Sequence, residues 1–249
     1  MRNTEDNKKT DYNNDEIFKK AVFELNSKPE FTFDDLCTIV ELLRSKNGCP
    51  WDREQTNKSV RNAIIDETYE FIEGLDNNDN KLMCEELGDV LLQIIFHSCI
   101  KAETDEFSIH DVIDGICKKM ILRHPHVFSD IAVKDSDEVL VNWENIKNQE
   151  KSRKTPYQQL ESVAFSLPAL MRAQKLQSKA EKTGLSDKKV LLDYINDISC
   201  SLECIKSGNT SEQSFADLLF ACVGAARVCG LSSEEALYRK NDEFLKSFK

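Results

Sequence analysis

Glycine and proline are scarce in this sequence, at eight and five of 249 residues. Folds made of many strands need both at their tight turns, so the composition weighs against an all-β architecture and toward helices. Long apolar runs are also missing, and no stretch approaches the length needed to cross a bilayer. The N-terminal segment MRNTEDNKKTDYNNDE has neither the apolar core of a secretory signal nor an amphipathic transit pattern, so a cytoplasmic protein with no membrane partner is expected. Nine cysteines make an odd number, and no CxxC pair with metal-ligand spacing occurs among them. Neither a disulfide framework nor a thiolate metal centre is indicated, and the thiols are expected to be reduced, mostly buried, small apolar side chains. Basic residues are outnumbered, 33 Lys and Arg against 44 Asp and Glu, for a formal net charge of -11. A nucleic-acid partner would require a clustered surplus of positive charge, so none is expected. An acidic substrate would need cations as intermediaries.

The length suffices for two modest domains, each able to bury a core without disulfides or structural metals. The first residues, to about position 15, are rich in Asn, Asp and Lys, and the segment 1–30 is read as a polar N-terminal tail, partly disordered. Leu36, Ile39, Val40 and Leu43 have helical spacing, which predicts a helix over 33–44 with Thr32 or Asp34 as its N-cap. Gly48-Cys49-Pro50-Trp51-Asp52 reads as a rigid turn. Helices are predicted over 59–75 and 81–103, joined by the polar turn Asp76-Asn77-Asn78-Asp79-Asn80 as an αα-hairpin, and over 109–123 behind Ser108. The charged stretch around Trp143 reads as a helical connector over 131–158. Beyond it come helices ending near Thr183 and spanning about 187–206, 211–229 and 233 to the C-terminus. Asp89-Val90-Leu91-Leu92 and Asp217-Leu218-Leu219-Phe220 occupy matching places in the two halves, which indicates an internal duplication. The expected fold is all-α, with a first helical domain over 31–130 and a second over 159–249.

One constellation carries chemistry. Asp66-Glu67-Thr68-Tyr69-Glu70 lies on one predicted helix of the hairpin and Glu85-Glu86-Leu87-Gly88-Asp89 on the other. Residues three apart share a helix face, so Glu67 projects with Glu70 and Glu86 with Asp89, with Gln93 one turn further along. Carboxylates gathered in this way repel one another unless they take up protons or a cation. Oxygen-only ligands select magnesium or manganese over zinc, and magnesium held by a few carboxylates keeps open positions for water and phosphate. The plain alternative is a set of solvated glutamates paired with Lys and Arg.

The run Gly48-Cys49-Pro50-Trp51-Asp52-Arg53-Glu54-Gln55-Thr56, the acidic pairs, Glu86-Leu87-Gly88-Asp89-Val90-Leu91-Leu92-Gln93, Arg123-His124-Pro125-His126-Val127-Phe128 and Ser166-Leu167-Pro168-Ala169-Leu170-Met171-Arg172-Ala173-Gln174-Lys175 together resemble the MazG family. The resemblance covers residues 31 to 248. It implies a helical bundle of the all-α NTP pyrophosphatase class, usually a homodimer, that hydrolyses nucleoside triphosphates to monophosphate and pyrophosphate with Mg2+. The family signature of Glu-Glu-x-x-Glu followed by Glu-x-x-Asp falls on Asp66, Glu67, Glu70, Glu86 and Asp89, and Asp66 departs from it by one methylene. Glu67, Glu70, Glu86 and Asp89 are then the metal ligands and catalytic groups, and one of them or Glu85 accepts the proton of the attacking water. The matching positions of the second half, Asn196, Asp197, Cys200, Ser214 and Asp217, keep two carboxylates. Catalysis is therefore assigned to the first half, and scaffolding, dimerisation or substrate gating to the second. Lys81, Lys119 and Arg123 are candidates to balance the phosphates. Trp51 is a candidate to stack on the base or, alternatively, to anchor the turn in the core, while His124 and His126 are expected to be structural. A non-catalytic helical dimer that binds nucleotides or a protein is the competing reading.

Overall fold

The computed structural model describes residues 10–129, 131–150 and 155–248. Among them there are thirteen helices and no strand, so the chain is all-α. It divides into two compact units, Met1–Ile121 and Leu122–Lys249.

In the first unit, α1 spans Asp15–Asn26, inside the segment read as tail, and corrects that reading there. Asn14 caps it by accepting from the amides of Glu16 and Ile17, and Asp15 and Glu16 complement the positive end of the helix dipole. Asn13 Oδ1 accepts from the amide of Lys46 at 2.8 Å and Asp15 Oδ1 from the Asn47 side chain at 2.8 Å, which ties α1 to the loop after the next helix. The remainder of the tail expectation, residues 1–9, lies outside the described residues.

Helix α2 spans Phe33–Arg44 behind Thr32, which forms a capping box with Asp35. The expected turn after it contains the short helix α3, Pro50–Glu54, with proline at a first-turn position where the missing N–H costs nothing. Helix α4 spans Ala63–Asp76 and α5 spans Asn80–Glu103. Residues 59–62 are not helical as expected, because Thr56 and Ser59 exchange side-chain-to-amide hydrogen bonds at 2.9 and 3.1 Å that compete with helical pairing. The α4–α5 hairpin closes through Asn78 in the left-handed region (φ 53°) and Asp79, which caps α5 through the amides of Lys81 and Leu82. Buried Gly74 lets the two helices close up there, since a Cβ would stand 3.0 Å from the Met83 amide nitrogen.

The core of this unit is Val40, Val60, Ile95 and Phe96, flanked by Leu36, Leu91, Leu92 and Ile100. Arg44 joins the pieces. Its buried guanidinium pairs with Glu103 of α5 at 2.6 and 2.9 Å, donates to the carbonyls of Asp52 and Gln55, and lies over the Phe96 ring. The turn that carries Trp51 is thereby fixed against α2 and α5. Helix α6 spans Ile109–Arg123.

The second unit contains α7 (Pro125–Phe128), α8 (Ser136–Glu150), α9 (Pro156–Glu161), α10 (Ala169–Lys182), α11 (Leu191–Lys206), α12 (Glu212–Val228) and α13 (Ser233–Lys246). Its closest packing is the α11–α12 hairpin with α10 laid against α12, the same plan as α4, α5 and α2. Buried Tyr194 occupies the space over Gly224, and its hydroxyl accepts from Arg227, which also pairs with Glu181. Helix α11 begins four residues later than expected because Asp193 accepts from the Val190 amide at 2.8 Å and caps it there.

Two further expectations meet the structure here. The nine cysteines are free, but six are exposed and three half-buried, because larger side chains fill both cores. Among the described residues no single helix is long and apolar enough to cross a membrane.

Candidate active site

The hairpin brings the acidic residues of α4 and α5 together. Glu67, Glu70 and Glu86 each offer a carboxylate oxygen, and the three oxygens lie within 4.8 Å of one another. Glu86 is 5% exposed, Glu67 is half-buried and Glu70 is exposed. Asp89, half-buried one turn beyond Glu86, lies outside this tightest set but close enough to act on it. Asp66 and Glu85 are exposed on the flanks. Among the described residues no lysine or arginine forms an ion pair with Glu67, Glu70, Glu86 or Asp89, so the cluster lacks the basic partners of the plain reading.

The electrostatics follow. Burial raises the pKa of Glu67, and the charges of Asp89, Glu70 and Asp66 raise it further. Glu86 is raised in the same way, first by burial and then by Glu70, Asp89, Glu67 and Glu85. Both groups bind protons more tightly in the folded chain than in the unfolded one. The stability they contribute is therefore present at acidic pH and lost as pH rises through their folded pKa values. In ion-free buffer, the melting temperature of Glu86→Gln should gain on that of the parent as pH rises from about 5 to about 7.5, and Mn2+ should remove the difference. A gap that stays constant with pH would contradict the shared-charge account. The donor set fits a hard divalent ion, since it is all oxygen and its members carry unbalanced negative charge.

The other candidates are placed as follows. Lys81 is exposed in the first turn of α5. Lys119 is half-buried and lines an open cavity of about 760 Å3 with Phe33, Leu91, Ile94 and Asp111, a lining that includes none of the four carboxylates. Arg123 is buried, with its guanidinium on Glu150 at 2.7 and 3.1 Å and over the Trp143 ring. Trp51 is 64% exposed, so it is no core anchor.

The matching positions of the second unit form no such set. Asp197 pairs with Lys189 at 2.7 Å, Asp217 accepts from Gln213 at 2.7 Å, and the buried Ser214 hydroxyl donates to the Asn209 carbonyl at 2.8 Å. Sequence reasoning overlooked the pair Asn57 and His97. The Asn57 amide nitrogen lies 2.8 Å from His97 Nδ1 and 3.1 Å from the His97 carbonyl. The available signal was spacing, since His97 follows Gln93 by one turn on the stripe that carries Glu86.

A family model described as the MazG nucleotide pyrophosphohydrolase domain matches residues 55–128, which include all four carboxylates. The nucleoside triphosphate pyrophosphohydrolase/pyrophosphatase MazG of Thermotoga maritima is 38% identical over 219 residues, covering 87% of this chain and 84% of that protein. The nucleoside triphosphate pyrophosphohydrolase of Escherichia coli K12 is 36% identical over 226 residues, covering 87% and 85%. The YabN protein of Bacillus subtilis is 41% identical over 222 residues, and this chain spans 45% of its length.

Proposed function

Since the chain belongs to the MazG family of nucleotide pyrophosphohydrolases, we propose that its first unit hydrolyses nucleoside triphosphates to monophosphate and pyrophosphate, with magnesium held by Glu67, Glu70 and Glu86 and with Asp89 completing the set. The observation that supports this is the convergence of three carboxylate oxygens within 4.8 Å, without a basic partner. Manganese satisfies the same donors. A bound ion would neutralise phosphate charge and acidify a water for in-line attack at the α-phosphorus. The protein's own part is to hold the carboxylates unpaired until an ion and substrate arrive. Glu85, exposed beside Glu86, or one of the four then accepts the proton of the attacking water. Lys81 supplies positive charge for the departing pyrophosphate, and Trp51 offers its exposed face to the base. Lys119 keeps its assignment as a phosphate contact, whereas Arg123 is committed within the second unit to Glu150 and the Trp143 ring.

The second unit acts as scaffold. Its Asp197 is paired with Lys189 and leaves no acidic cluster there to hold an ion, which is consistent with a supporting role for this unit. A homodimer accounts for the exposed Val112, Ile113 and Ile116 of α6 and for Ile65 and Leu87 on the hairpin. Light scattering should give twice the mass of the 28.5 kDa chain, and a monomer at micromolar concentration would remove the dimer. A cytoplasmic setting, beside the nucleotide pool, suits this reading, and the net charge of -11 argues against a nucleic-acid partner.

The experiment is pyrophosphate release from a mixture of triphosphates. Magnesium should support turnover, EDTA should end it, and readdition of magnesium should restore it. Nucleotide binding without any pyrophosphate release would favour the non-catalytic module.

A further inference from the structure

The stripe of α5 that carries the acidic cluster does not stop at Asp89. Glu86, Gln93 and His97 follow at spacings of seven and four, which keeps them on one line of the helix. At about 1.5 Å of rise per residue, His97 stands roughly 12 Å along the axis from Asp89, with Gln93 midway. That is the order of length between a nucleotide's phosphate chain and its base.

Both groups are half-buried and polar, yet incompletely satisfied. Neither the Gln93 side-chain amide nor His97 Nε2 has a hydrogen-bond partner among the described residues, and neither is sealed off from solvent, so both are open to a ligand. His97 is also fixed in one chemical form. The Asn57 amide nitrogen approaches both the His97 carbonyl and Nδ1, and a carbonyl only accepts, so that nitrogen is the donor in both contacts. Nδ1 is then the acceptor, and the ring proton resides on Nε2. Burial lowers the pKa of His97, which favours the neutral ring. A neutral imidazole with its N–H on Nε2 offers one directional donor and no charge, a poor partner for phosphate and a good one for a ring nitrogen or carbonyl of a nucleobase.

We infer that Gln93 and His97, with Asn57 fixing the His97 ring, form the base-reading end of a nucleotide site laid along this stripe of α5, whose other end is the Glu67, Glu70 and Glu86 cluster. Gln93 and His97 touch the base, and Asn57 is a positioning residue that acts through His97. This rests on the triphosphate reading above. It sets the direction in which the nucleotide lies along α5 and makes the choice among bases a property of hydrogen bonding at that end. The opposing account is a purely structural latch, in which the Asn57–His97 contact does no more than pin the segment before α4 to α5.

The test measures kcat and KM separately for ATP, GTP, CTP and UTP with the parent, His97→Leu, His97→Gln and Gln93→Leu, together with Mn2+ affinity. Loss of the donor in His97→Leu should raise KM by about 10- to 100-fold, by factors that differ among the bases by about tenfold. Its kcat and Mn2+ affinity should stay near the parent's. His97→Gln, whose amide N–H lies near the place of Nε2–H, should recover the parent's ranking of bases. Gln93→Leu should shift that ranking independently, which keeps the proposal testable if His97→Leu fails to fold. A ranking unchanged in His97→Leu or, where that chain does not fold, in Gln93→Leu overturns the inference while the enzymatic reading survives. A parent chain that releases pyrophosphate from no triphosphate overturns both.

Discussion

Exchange of Glu70 for alanine is expected to abolish pyrophosphate release, lowering kcat by about 10³-fold or more, the scale on which loss of one group that stabilises transition-state charge is felt. Glu70 is the exposed member of the cluster and makes no ion pair among the described residues, so its removal leaves no buried partner behind. Folding should be untouched or slightly improved, because one of the charges that raise Glu67 and Glu86 is gone. The matched control is Asp217→Ala in the second unit, where the neighbouring acid Asp197 is already neutralised by Lys189. That variant should turn over like the parent. A dead Asp217→Ala beside an active Glu70→Ala would move catalysis to the other half.

The largest effect on stability is expected at Gly224. A Cβ built there would overlap the ring of Tyr194, which cannot retreat: it is 5% exposed and its hydroxyl is held by Arg227. Arg227 is in turn committed to Glu181, so a shift of the ring would strain an ion pair as well as the packing. Gly224→Ala should cost about 3 kcal/mol, the upper part of the range for overpacked cores, and lower the urea midpoint of the second unit. A midpoint equal to the parent's would show that the ring has room to move.

Much of this molecule was legible in the residues, and the failures have identifiable causes. The α4–α5 hairpin could be read because its signals agree: apolar periodicity on both sides, a polar turn between, and Asp79 placed to cap. Helix α1 was overlooked although Phe18, Val22 and Leu25 have helical spacing, because the polar residues before it diluted the pattern and its anchors on Lys46 and Asn47 are tertiary. Helix starts near residues 59 and 187 were set too early because side-chain hydrogen bonds from Ser59, Thr56 and Asp193 override propensity. The acidic set was visible as two motifs at three-residue spacing. Which member stands apart was not, since only packing of the two helices makes Glu67, Glu70 and Glu86 the closest three. Spacing on the α5 stripe marks His97, but its partner Asn57 lies forty residues away in sequence, and no local pattern announces that contact.

A crystal of the parent soaked with Mn2+ and a non-hydrolysable triphosphate analogue puts the account to its most direct trial, through the anomalous scattering of manganese. The anomalous peak should fall among the carboxylates of Glu67, Glu70 and Glu86, with the phosphates of the analogue against it. Manganese bound beside Asp197 and Asp217, or an analogue bound with no ion at the α4–α5 hairpin, would contradict it.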